Sequence, residues 1–520
     1  MENTLFISYK MIIVIAIIAT LYIIDFFKRV ASEDKVKGKV GFLLYCNFII
    51  NLCFLYYLQY FILIEHLLMG IICIFGIVNV IILKSFHLYS EKSKIIFTMF
   101  LIGIVQLGYV LYSPYYIRQH DSRSFIYYEN GGHFGYIGYI FFNKSLPTGS
   151  PLDYWCFSNP PLFHIVSAIF LNILQIFKGI SINTCFENLQ VMSFIYATIF
   201  NVYVYKILKE MNIQKSISYM LAFVGLSPAM IIMSGSINND MLCFSLSTMA
   251  IYYTLKWYKE DNLKNLIKIA FTIGFAMMTK ISAAIIAIPI AFVFLVKLIL
   301  NKEHFKRYIR NFAIFAIISL PIGLWFPIKN LVLYNIPITY VQSVEKEHPS
   351  NVSKYSIFER FFTFSKENLE TINVVMSGEK ADYNLYLTTI KSFIVDENID
   401  YENNSFMKIS INIIFICGIL LTIVFIVNII FLIKNYKKIN NNWIIFFASI
   451  LILNIISYIK FCFDYPFVFT MNFRYIVLTL VSYSVLTGTV CEKNKKLFYI
   501  NSAIMSVFCI ASVILFLNLV

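Results

Sequence analysis

The sequence predicts an all-α polytopic membrane protein: a bundle of about 14 transmembrane helices with two larger extracytoplasmic loops. Three observations carry that prediction. The chain is 59% hydrophobic and only 13% charged, whereas soluble domains run at roughly 45–50% apolar and roughly 25% charged. Its mean hydropathy is +0.75. Apolar runs approaching the roughly 20 residues that cross a bilayer recur along the whole chain. Together these exclude a soluble two-domain enzyme, a disordered chain and a small disulfide-stapled scaffold.

The expected spans are 11–27, 41–63, 67–83, 95–112, 189–208, 217–234, 241–257, 265–279, 282–299, 311–333, 409–433, 443–461, 474–490 and 497–519. No small-residue cleavage site follows the first run, so it reads as a retained helix. Two longer polar stretches, 113–188 and 334–408, separate the runs. Basic clusters set the orientation. Lys28 and Arg29, Lys206 and Lys209, Lys256 and Lys259, Lys302 to Arg310, Lys434 to Lys438 and Lys493 to Lys496 all fall in short connections. Placing them on the cytoplasmic side puts both long loops outside. Residues 161–177 are apolar enough to span, but a span there would invert every later cluster, so they read as a helix at the outer membrane surface. The net charge of +14 therefore reports orientation. The basic residues form no aromatic-interleaved surface, and no nucleic-acid partner is expected. The ten Cys show no CxxC or Cys/His spacing. The Ile-, Asn-, Tyr- and Phe-rich composition is what an AT-rich genome produces. A bacterial cytoplasmic membrane, with the site facing outside, is the expected location.

Ionisable residues near membrane depth are costly and mark functional candidates. The first outer loop holds three of the seven His, namely His120, His133 and His164, with Asp121 beside His120. A carboxylate at the membrane surface is placed to take a proton from a water-side acceptor; the bland alternative is a solvated loop acid. This loop, with its HD, GHFGYI and NPPLFH segments, resembles the first extracytoplasmic loop of GT-C glycosyltransferases. The likeness is greatest to the protein mannosyltransferase and aminoarabinose transferase group, family 39. Asp121 fills the early acidic position. Asn159, Pro160, Pro161, Leu162 and Phe163 fill the Pro-Pro-Leu-aromatic motif, with Asn159 where such sequences often carry His. Further on, SGSINND (234–240) resembles a second outer loop, with Asn239 and Asp240. GFAMMTKIS (274–282) resembles a Thr-Lys motif, with Lys280. KNLVLYNIP (329–337) resembles the end of a later span, with Lys329 where Arg is more usual. MNFRYI (471–476) resembles the start of a late span, with Arg474.

The resemblance implies a GT-C-like fold divided into extra N-terminal helices (1–94), a catalytic membrane core (95–333), an extracytoplasmic loop (334–408) and C-terminal helices (409–520). It implies transfer of a sugar from a polyprenyl-phosphate donor to an acceptor hydroxyl. Asp121 would act as base, and a single displacement would invert the anomeric carbon. Arg474 and Lys280, with Lys329, would stabilise the leaving phosphate. Asp240 would orient the donor. His120, His133, Asn159, His164 and Asn239 complete the expected substrate-binding set. No resident cofactor is required, and a divalent cation held by His and a carboxylate stays open. The expected partners are the lipid-linked donor, the bilayer and an acceptor that is protein, lipid or wall polymer. The rival reading is a transporter or flippase of lipid-linked saccharide; such proteins tend to carry internal repeats, and no repeat is visible here. A catalytically silent homologue serving as an assembly partner is a third reading.

Overall fold

The computed structural model describes residues 91–113, 115, 131–176, 188–342, 344–366, 369, 371–378, 380–395 and 404–519, together with Phe42, Cys46, Val78 and Ile81. The expected spans 11–27, 41–63 and 67–83, and the pair His120–Asp121, lie outside the described residues apart from those four isolated positions. Among the described residues seven helices are long and apolar enough to cross a membrane, or up to nine if each of two bent pairs is one span.

The first described span is α1 (Glu91–Tyr112). The first long loop (113–188) then forms α2 (Gly132–Asn143) and α3 (Leu162–Gln175). At about 1.5 Å per residue, α3 is too short to cross a core of roughly 30 Å. It buries Phe163, His164, Leu171 and Leu174 and leaves Ile169 and Ile173 exposed, as an interfacial helix does. Next come α4 (Leu189–Glu210) and a broken span, α5 (Ile217–Gly225) with α6 (Pro228–Gly235), bent by 54°. The break has a local cause. Pro228 denies the preceding residue the helical region, and Ser227 is extended. Gly225 also lies against α1, where a Cβ would meet the Ile102 side chain at 2.6 Å.

Helices α7 (Asp240–Glu260) and α8 (Leu263–Thr279) follow; both are helical but fall short of the length-and-apolarity test that the other spans meet. A 3-10 turn (Ile281–Ile286) leads into α9 (Ala287–Leu300), and α10 (Phe305–Tyr334) ends at Asn335 in the left-handed conformation. The second long loop (334–408) contributes α11 (Ile357–Phe362), started by a Ser356–Glu359 capping box, and α12 (Leu385–Ile394), capped by Asn384. The remaining spans are α13 (Ser405–Ile439), α14 (Trp443–Asp464), α15 (Thr479–Lys493) and α16 (Lys495–Leu519). The 3-10 turns Val468–Thr470 and Phe473–Ile476 precede α15 at a 51° bend.

Polar contacts sort the bundle into two ends. At one end Lys256 and Lys259 pair with Glu210, Arg307 pairs with Asp261, and Glu492 accepts from the backbone of Gln214 and Lys215. At the other end the two long loops meet: Tyr334 donates to the Thr148 carbonyl, and the Cys156 N–H donates to Gln342. The second loop is tied down by backbone bonds from Val352 to Pro466 and from Val468 to Ser350. Inside the loop, Lys391 contacts both oxygens of Asp382 at 2.8 and 3.0 Å, with both side chains buried. Burial pushes the Lys391 ammonium below the usual lysine range, against the opposing pull of Asp382.

Candidate active site

The site is assembled at the loop-bearing end. Asp240 opens α7, and its N–H donates to the Asn238 side chain at 3.1 Å. A carboxylate in the first turn of a helix suits the positive end of its dipole. Asn239 donates to the Thr279 carbonyl at 3.0 Å, which binds this turn to the end of α8. The next residue there is Lys280, whose backbone is extended (φ −155°, ψ 121°), so α8 stops and the side chain leaves the helix. Its Nζ reaches Asp240 Oδ1 at 2.5 Å. The Asp240 side chain is 3% exposed and that of Lys280 is 22% exposed.

Arg474 arrives from the Phe473–Ile476 turn. Asn472 caps that turn by accepting from the Arg474 N–H. The Arg474 guanidinium lies 4.9 Å from the Tyr475 ring centroid and donates to the Tyr475 hydroxyl at 2.8 Å. Lys280 Nζ lies 4.9 Å from the same ring. One tyrosine therefore touches both cations. Lys280, Arg474 and His133 all lie within electrostatic reach of Asp240.

The histidines come from the first long loop. Gly132, at φ +65°, turns the chain into α2 in a region that side-chain-bearing residues avoid, and His133 follows. Pro161 leads α3, and His164 sits in its first turn. His133 Nδ1 and His164 Nε2 are 2.9 Å apart, and both residues are buried. Tyr136 stacks on His164 at 4.2 Å and Phe157 stacks on Tyr136 at 4.4 Å, so the pair sits against an aromatic wall. Among the described residues no group of three or more His, Cys, Asp or Glu side chains is arranged to hold a metal ion.

The structure thus brings together five of the residues singled out by sequence: His133, His164, Asp240, Lys280 and Arg474, with Asn239 as the tie between α7 and α8. Two others are engaged elsewhere. Asn159 folds back on Cys156, which has a left-handed backbone (φ +71°), donating to its carbonyl at 2.9 Å. Lys329 lies over Phe326 of its own helix, 5.9 Å from the ring centroid. Asp121 and His120 lie outside the described residues. Sequence reasoning missed Tyr475, although it adjoins Arg474, and it missed a narrow cleft beside Arg474. Met233, Ser236, Asn238, Ser392 and Asn472 help line that cleft. Ser392 comes from α12 in the second loop and accepts from the Phe473 N–H at 2.9 Å; nothing in its local sequence signals this.

Chemically, two cations, one buried carboxylate and a histidine pair at the loop-bearing end of the bundle make a site with net positive charge. Such a site favours an anionic headgroup. No curated protein and no solved structure matches the chain. Residues 158–325 match the family model of dolichyl-phosphate-mannose-protein mannosyltransferase. That stretch includes His164, Asn239, Asp240 and Lys280. The match covers about a third of the chain, and over that stretch the chain is similar to this mannosyltransferase family.

Proposed function

We propose that the protein transfers a sugar from a polyprenyl-phosphate donor to an acceptor hydroxyl on the extracytoplasmic face. The family match supports glycosyl transfer from a lipid-linked donor. The observation that carries the reading is the convergence of Lys280 and Arg474, from separate spans, on Tyr475 beside buried Asp240. As the donor's glycosidic bond breaks, negative charge builds on the lipid phosphate. Arg474 offers a planar fork of donors, and Lys280 offers a point charge held in place by Asp240. Asp121 takes the proton of the acceptor hydroxyl, and the oxygen attacks the anomeric carbon opposite the phosphate, with inversion. Asp240 positions Lys280. The His133–His164 pair lines the sugar side.

The test is transfer from a polyprenyl-phosphate sugar by the full chain in proteoliposomes. Removing one donor to a developing oxyanion costs about 10²–10³ in rate, so Arg474→Ala loses about that much kcat and Arg474→Lys recovers part of it. Asp121→Asn abolishes turnover. Wild-type turnover in Arg474→Ala removes the phosphate site, and wild-type turnover in Asp121→Asn removes the base.

A further inference from the structure

The second outer loop carries an apolar face that the catalytic reading leaves unused. On α11, Ile357, Phe358 and Phe362 are 66%, 68% and 64% exposed, and Phe364 just beyond is 55% exposed. The rings of Phe358 and Phe362 are 5.2 Å apart, so the face is one continuous patch. Soluble surfaces rarely show a contiguous aromatic patch of this kind without a partner for it.

The opposite face of α11 is anchored. Arg360 is 2% exposed and donates to the Cys462 carbonyl at 2.8 Å, near the end of α14. Its guanidinium lies 4.3 Å from the Phe463 ring centroid. Phe361 stacks on the same Phe463, with centroids 5.4 Å apart and planes at 20°. The helix therefore cannot roll its aromatic face inward without breaking this anchor.

Phe463 also extends an exposed apolar stripe of α14. Ile452 and Ile456 are 53% and 57% exposed on that span. Residues four apart and seven apart share a helix face, so 452, 456 and 463 line up. The exposed Lys460–Asp464 pair, at 2.6 Å, marks where that stripe meets water. Aromatic side chains at such a boundary are the belt that fixes a protein in the membrane interface. From this continuity we infer that α11 lies in the interface of the leaflet at this end of the bundle. Its aromatic face is immersed among headgroups and upper acyl chains. The second loop thus rests on lipid rather than standing in water, and lipid is the occupant of the patch.

The test uses the full chain in nanodiscs of phosphatidylcholine and phosphatidylglycerol. Bimane is attached at Phe358→Cys and, separately, at Phe362→Cys, with labelling of the unsubstituted protein subtracted. Lys346→Cys, on an exposed part of the same loop, is the water-side control. The expected result is quenching by doxyl-labelled lipid at 358 and 362 that exceeds quenching at 346 at least about twofold, with iodide showing the reverse order. Iodide quenching at 358 and 362 without lipid quenching overturns the inference. So does shielding from both quenchers in a cross-linkable dimer, which would make the occupant a second copy. If either labelled variant fails to fold, Ile357→Cys reports on the same face.

Discussion

The Asp240–Lys280 pair gives the sharpest prediction, because its two halves come from different helices and both side chains are mostly withdrawn from solvent. At 2.5 Å and an effective dielectric of about 20, two unit charges attract by about 6–7 kcal/mol. Withdrawing each ion from water costs several kcal/mol, and this cancels most of the attraction. What survives is a net coupling of about 2–3 kcal/mol. Either charge left alone costs about 3–5 kcal/mol. Asp240→Asn keeps the shape and leaves Lys280 near Arg474 with its paired carboxylate removed. Lys280→Met strands Asp240. Each single variant should lose about 3 kcal/mol, and the double variant should lose less than the sum by about 2 kcal/mol. Unfolding in mixed micelles, followed by tryptophan fluorescence, measures all four corners of the cycle. The double variant regains stability but, on the proposed function, not sugar transfer, since it lacks one of the two cations assigned to the phosphate. Strictly additive losses, or a Lys280→Met variant as stable as the wild type, would refute the argument that the two charges are mutually dependent.

Two further predictions address the scaffold. Hydrogen bonds with Ser356 hold the Glu359 carboxyl below its usual 4.5, so its contribution to the α11 cap is present above that value and is lost as pH falls through the depressed one. A spin label at Phe362→Cys therefore gains mobility on acidification, and Glu359→Gln removes the transition; an unchanged transition in that variant rules the cap out as its cause. In the membrane core, Asn428 of α13 donates to Asn501 of α16 at 3.1 Å and receives from it at 3.4 Å, with both residues buried. Asn428→Leu should cost about 1–2 kcal/mol by stranding the second amide, and Asn428→Leu/Asn501→Leu should recover most of it; equal losses in the single and the double variant would refute the pairing.

The helical membrane architecture was legible in the sequence because hydropathy and length are local properties; eleven of the fourteen expected spans fall on described residues and are largely helical there, and among the described residues seven to nine helices are long and apolar enough to cross a membrane. Charge alternation set 161–177 apart from the expected spans, and the 14-residue length of α3 is in keeping with that expectation. The site residues were legible as costly polar groups at the ends of apolar runs. Their partners were not. Asn159 donates to the carbonyl of Cys156, which holds a left-handed backbone, and Lys329 lies over Phe326 of its own helix; neither contact is encoded by residue type. The two roles of Ser392, lining the cleft and bonding to the Phe473 N–H, depend on how α12 docks.

By itself, then, the sequence determined a polytopic helical membrane protein and a list of candidates, His120, Asp121, His133, Asn159, His164, Asn239, Asp240, Lys280, Lys329 and Arg474, drawn from polar groups beside apolar runs and from motif resemblance, both of which are local features of the chain. Only the tertiary structure decided that Asp240 holds Lys280 from 40 residues away, that Tyr475 joins Lys280 to Arg474, and that α11 turns its phenylalanines outward. Those contacts arise from helix packing and loop docking, in which residues remote in sequence are brought to one point by burial elsewhere.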